Sequence, residues 1–147
     1  LVEVNRIIDT VPHSRNESMA SFLRIVRICE ERGSGFDRME EGMRDLTIPA
    51  PKVETGDDFT RTKLYWYDNL NDWKKDDKIR TCYLYTCYCY VNEIEVANAV
   101  LRERFGVEEK NKAIISRIII DTIDAGFIKL SDENAAPKLR RYIPYWA

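Results

Sequence analysis

Ser116 and Arg117 stand inside the isoleucine-rich run "AIISRIIIDTIDAGFIKL". At helical steps Ile115, Ile118, Ile119 and Ile123 share one broad apolar face. Ser116, Arg117, Ile120 and Asp124 then fall away from its centre, with Asn111, Lys112 and Ala113 at the exposed N-terminal end. Small and cationic side chains on an outer helix face can approach phosphates and base edges without steric penalty. Lys110, Asn111, Lys112, Ser116 and Arg117, joined by Lys138, Arg140 and Arg141 further on, are therefore the candidate double-stranded DNA contacts. Glu108, Glu109 and Asp121 dilute this cationic set. The same pattern also fits a core helix with a solvated outer face, or one serving protein contacts alone.

A second candidate lies in "EERGSGFDRM". A Gly-x-Gly turn entering a helix presents backbone N–H groups and the positive end of the helix dipole, which can hold an anion. Gly33, Ser34 and Gly35, with Asn16 on the preceding segment, are the candidate nucleotide contacts. No Gly-Lys-Ser/Thr follows, and a helix rather than a strand precedes the glycines, so neither a Walker loop nor a dinucleotide fingerprint is present. A helix-to-helix turn requiring positive φ is the simpler explanation of the glycines, and an N-cap is the simpler one for Asn16.

No catalytic constellation emerges. The single histidine, His13, has no nucleophile signature beside it, and the carboxylates are scattered. Of four cysteines, Cys82, Cys87 and Cys89 crowd into "RTCYLYTCYCYV". On a helix these spacings do not converge on one metal, so reduced, buried thiols are expected, in keeping with a cytoplasmic protein.

The elements that must position these residues can be read from periodicity. "SRNESMASFLRIVRICEERG" carries an apolar stripe of Met19, Phe22, Leu23, Val26 and Cys29, capped by Ser14 or Asn16 and stopped at Gly33. A second helix starts near Phe36 and ends before "TIPAP". "PKVETGDDFTRTKLYWYD" predicts two extended stretches around a Gly-Asp-Asp turn. The polar "DNLNDWKKDD" reads as a linker. Beyond it come a tyrosine-rich helix, a short helix in "EVANAVLRERFGV", the isoleucine helix closed by Gly126 at its C′ position, and a terminal hairpin. The expected fold class is α+β: a small helix-helix-hairpin module over residues 1–70 followed by a winged helix-turn-helix over residues 71–147. Tyr83, Tyr85, Tyr88 and Tyr90 carry more aromatic surface than a thin domain buries, which makes a homo-oligomer a further expectation.

Composition sets the bounds. The 147 residues are 44% hydrophobic and 33% charged, a globular balance. The net charge is −2, so any nucleic-acid contact must be local. No apolar run approaches the roughly 20 residues of a spanning helix, and no membrane partner is expected. The absence of an initiator methionine suggests a piece of a longer protein.

The stretches "SRNESMASFLRIVRICEERGSGFDRM" and "LRERFGVEEKNKAIISRIIIDTIDAGFIKLSDENAAPKLRRYIPYWA" resemble the C-terminal region of bacterial proteins described as RecG-related ATP-dependent DNA helicases or transcriptional regulators. The resemblance implies a Schlafen/AlbA-type DNA-binding domain upstream, a histidine-kinase-like ATPase segment and a winged helix. It also implies ATP as a cofactor of the full-length protein, with Asn16 and Gly33-Ser34-Gly35 matching parts of the family's nucleotide site. No Asp-x-Gly-x-Gly, Walker A or helicase motor motif occurs in this chain, so no cofactor is expected in this piece by itself. The missing AlbA-type domain is then an expected partner.

Overall fold

The computed structural model describes residues 3–11, 13–30, 33, 35–66 and 69–147. It is a mixed α and β fold, and its elements follow the expected order. Helices α1 (Glu17–Ile25) and α2 (Gly35–Asp45) precede a hairpin of β1 (Lys52–Thr55) and β2 (Thr60–Lys63). Helices α3 (Lys75–Val91), α4 (Asn98–Arg104) and α5 (Lys112–Asp124) then lead into a second hairpin, β3 (Ile128–Leu130) with β4 (Tyr142–Pro144). Both pairs are antiparallel; in the second, Lys129 faces Ile143. Val96, just before α4, bridges to Tyr142, whose N–H donates to the Val96 carbonyl at 2.9 Å. The short α3–α4 connection is thereby tied to the hairpin edge.

Helix α3 is the axis of the core. Every residue from Thr81 to Cys89 is buried, as expected of a helix that is apolar around its whole circumference. Its interior threonines cost little, because Thr81 and Thr86 donate to the carbonyls of Asp77 at 2.7 Å and Cys82 at 2.8 Å. Thr81 Oγ1 also accepts the Ala50 N–H at 2.9 Å, fixing the buried Pro49-Ala50-Pro51 strap against α3. Tyr83 and Tyr90 share a face at i, i+7 and are both expected in the core. Tyr83 is buried there with Tyr85 and Tyr88, whereas Tyr90 is exposed and stands edge-on to Trp146 at 5.4 Å. The aromatic surplus that favoured self-association is mostly consumed by the core.

Three sequence expectations are corrected. First, α1 ends at Ile25 rather than near Gly33, closed by Arg27 at φ 58°. Its stripe is uncovered, with Met19 and Phe22 58% and 60% exposed; periodicity marks an apolar face but not what lies over it. Second, the polar stretch read as a linker carries Trp73 into the core beside Phe105, ring centroids 5.5 Å apart. Third, Cys29 is exposed, whereas Cys82, Cys87 and Cys89 are buried free thiols. Burial pushes Cys82 and Cys87 up to about 12 and Cys89 to about 11. Since the thiolate is the nucleophile, iodoacetamide at pH 8 should modify native protein at Cys29 alone, with the other three reacting only after denaturation. Peptide mass mapping reads this directly, and rapid native labelling of Cys87 would contradict the packing.

A buried ion pair joins α2 to α4. Arg104 Nε donates to Glu40 Oε1 at 2.8 Å and Nη1 to the Ile48 carbonyl at 3.1 Å, with both side chains essentially sealed from solvent. Burial pushes the Glu40 carboxyl above its ordinary range, and Arg104 pulls it back. Just beyond, Gly106 sits at φ +62°, and a Cβ there would fall 2.8 Å from Thr47 Cγ2. Gly106→Ala therefore combines left-handed strain with a clash and should cost about 1–3 kcal/mol, read as a lowered denaturation midpoint.

Candidate nucleic-acid interface

Helix α5 is held by its inner face. Ile115, Ile118, Ile119 and Thr122 are buried, and Thr122 returns its hydroxyl to the Ile118 carbonyl at 2.7 Å. Thr122 takes the place at the centre of the stripe that periodicity assigned to isoleucine, and Ile123 is half-buried. The helix closes as expected: Gly126, at φ +76°, donates to the Ile123 carbonyl at 2.8 Å and Phe127 to that of Thr122 at 3.2 Å. This pair of bonds satisfies the last carbonyls and turns the chain into β3. Ala113, Ser116, Arg117, Ile120 and Asp124 are left exposed on the opposite side.

The expected contact residues divide into committed and uncommitted groups. Lys110 Nζ pairs with Glu108 at 2.5 Å. Arg141 Nε pairs with Glu95 at 3.0 Å, on the side of the hairpin that faces the α3–α4 connection. Ser116 Oγ donates to the Lys112 carbonyl at 3.2 Å and accepts the Asn98 side-chain amide at 3.2 Å, so it ties α4 to α5. Asn111 is the N-cap residue of α5 without a side-chain capping bond. Lys112, Arg117, Lys138 and Arg140 are exposed and have no ion-pair partner among the described residues. Lys112 opens α5, Arg117 is in its second turn, Lys138 lies in the last turn before β4 and Arg140 follows that turn.

Sequence reasoning missed two cations. Lys75 and Lys78, at the start of α3, share a groove with Ala113, Ile114 and Arg117 of α5. Lys75 Nζ is paired with Asp121 at 2.8 Å, which leaves Lys78 beside Arg117. The signal was the "KKDDK" run, of which Lys75 was absorbed into the supposed linker and Lys78 was placed on the tyrosine-rich helix without a role.

The candidate nucleotide residues have a plainer geometry. Asn16 is the N-cap of α1, its Oδ1 accepting the Met19 N–H at 2.9 Å. Gly33 takes φ 71° and Gly35 opens α2. Ser34 lies outside the described residues. Among the described residues there is no cluster of potential metal ligands, and no helix is long and apolar enough to cross a membrane.

Residues 1–64 match the family model described as "Putative ATP-dependent DNA helicase recG C-terminal". No curated protein and no solved structure matches the chain.

Proposed function

We propose, for a chain whose first 64 residues match the RecG C-terminal family model, that residues 71–147 form a winged helix contacting double-stranded DNA within a transcriptional regulator or helicase-related protein. Helix α5 acts as the recognition helix and the β3–β4 hairpin as the wing. The observation that carries this reading is the division of α5, whose inner face is anchored while Lys112 and Arg117 stand free on its outside. The bridge between Val96 and Tyr142 supports it, since this one backbone pairing ties the α3–α4 connection to the edge of the hairpin. A DNA-helicase-related family is itself consistent with DNA as a partner.

Phosphate contact comes from Lys112, Arg117, Lys138 and Arg140, with Asn111 and Ser116 near the groove and Lys110 and Arg141 held back by their carboxylate partners. Covalent chemistry is not part of this reading. Binding to a random 20-base-pair duplex, followed by fluorescence anisotropy, tests it. Four neutralised phosphates give a slope near −3.6 in log affinity against log salt, so affinity should fall roughly 100-fold from 50 to 200 mM salt. A salt-independent signal, or none at 50 mM, would remove the proposal.

A protein-contact role is the second reading. It is favoured by Ile114 and Ile120, both exposed on α5. ATP binding by Asn16, Gly33, Ser34 and Gly35, acting with an upstream domain, is a separate proposal resting on the family description. An ATP titration followed at the Gly33 and Gly35 amides tests it.

A further inference from the structure

We infer that a cavity between the chain's first turn, β1, α3 and the start of β3 binds a small molecule with an aromatic body and a protonated amine. The cavity measures about 370 Å³, equivalent to about a dozen water volumes. Its rings come from Phe36, Tyr83 and Phe127, and Val53, Ile79 and Leu84 fill the spaces between them. Tyr83 and Phe127 lie 5.0 Å apart, centroid to centroid, tilted by 36°. Walls of this kind favour a flat apolar guest. They come from both sides of residue 64, so the site is assembled only when the family-matched segment packs on the distal helices.

The polar groups around the cavity decide what the guest must carry. Lys52 Nζ is paired with Glu54 at 2.7 Å. Arg80 is paired with Asp77 at 2.9 Å and donates twice to the Ala50 carbonyl, at 3.2 and 3.1 Å. The Tyr83 hydroxyl donates to the Asn5 carbonyl and accepts the Trp146 indole N–H at 3.3 Å. Asp76, in the first turn of α3, is exposed and has no ion-pair partner among the described residues. With both cations already neutralised, the uncommitted lining charge is a carboxylate, which selects a cationic end on the ligand and disfavours an anionic one.

Three indole probes of equal body and different end charge test this: tryptamine, tryptophol and indole-3-propionate. Each is titrated into the full chain by heteronuclear NMR, reading amides of Val53, Leu84 and Phe127. Tryptamine should bind about 2- to 5-fold more tightly than tryptophol, the range of one exposed ion pair, with the propionate weakest. Asp76→Asn, an exposed and structurally mild change, should bring tryptamine down to tryptophol while leaving tryptophol unaltered. Ala125→Trp, placed at the cavity wall, should weaken all three. The proposal is overturned if no probe moves those amides at 5 mM, if the shifts fall on Phe22 and Ile25 of α1 instead, if the propionate matches tryptamine, or if Asp76→Asn keeps the amine preference. Because DNA takes no part in the measurement, its outcome is independent of the winged-helix reading.

Discussion

Glu40→Ala should destabilise the protein by about 3–5 kcal/mol, because it strands the Arg104 guanidinium in a site with no access to water. Against a total stability of about 5–15 kcal/mol for an ordinary domain, that is a large fraction. Arg104→Met should be comparably severe, since it strands the Glu40 carboxylate and also deprives the Ile48 carbonyl of its donor. The double variant Glu40→Leu, Arg104→Met removes both charges together and should be more stable than either single variant, even without the bond to Ile48. Urea unfolding of the four proteins measures the coupling. Additive losses in the double variant would mean that the two groups do not depend on one another. The consequence reaches beyond stability: Arg104 ends α4, the helix against which α5 packs, so this pair fixes the family-matched segment to the helices that set the orientation of α5.

The second large effect concerns the free cations. Lys112→Ala, Arg117→Ala and Arg140→Ala combined should reduce the salt slope of DNA binding by about 2–3, because each substitution leaves one phosphate without its cation. Arg141→Ala should change it little, because that guanidinium is spent on Glu95 and the Arg140 carbonyl. The contrast matters, since a general loss of positive charge would affect all four positions alike. Folding is not at risk from the exposed substitutions, and thermal denaturation serves as the control. An Arg141 variant as damaging as the triple variant would redirect attention to the opposite edge of the hairpin.

Much of the architecture was legible because its signals are local. The 3.6-residue periodicity of α5, the Gly126 stop and the two-residue alternation of the first hairpin each depend on neighbours within a turn or two. The burial of Trp73 was not legible, because a single tryptophan among lysines and aspartates has no periodicity to reveal its direction. Nor was the Glu40–Arg104 pair, whose members are distant in sequence and of types that normally face water. A trace of it existed: Glu40 falls between Phe36 and Met43 on the buried stripe of α2, and Arg104 one turn after Leu101. For α1 the stripe was legible as apolar, but what covers it was not, and Met19, Phe22 and Val26 stand exposed. In the candidate interface, residue types identified the cations but not which were already paired, since Glu95 and Arg141 meet only after the hairpin folds back.

Whether the outward flank of α5 meets DNA is best decided, residue by residue, by titrating isotopically labelled protein with a short duplex at 50 mM salt. Amide shifts should concentrate at Lys112 to Arg117 and around Lys138 to Arg140, and should reverse when the salt is raised to 300 mM. Shifts that bypass α5, or a spectrum unchanged by saturating duplex, would rule out α5 as the helix that meets DNA.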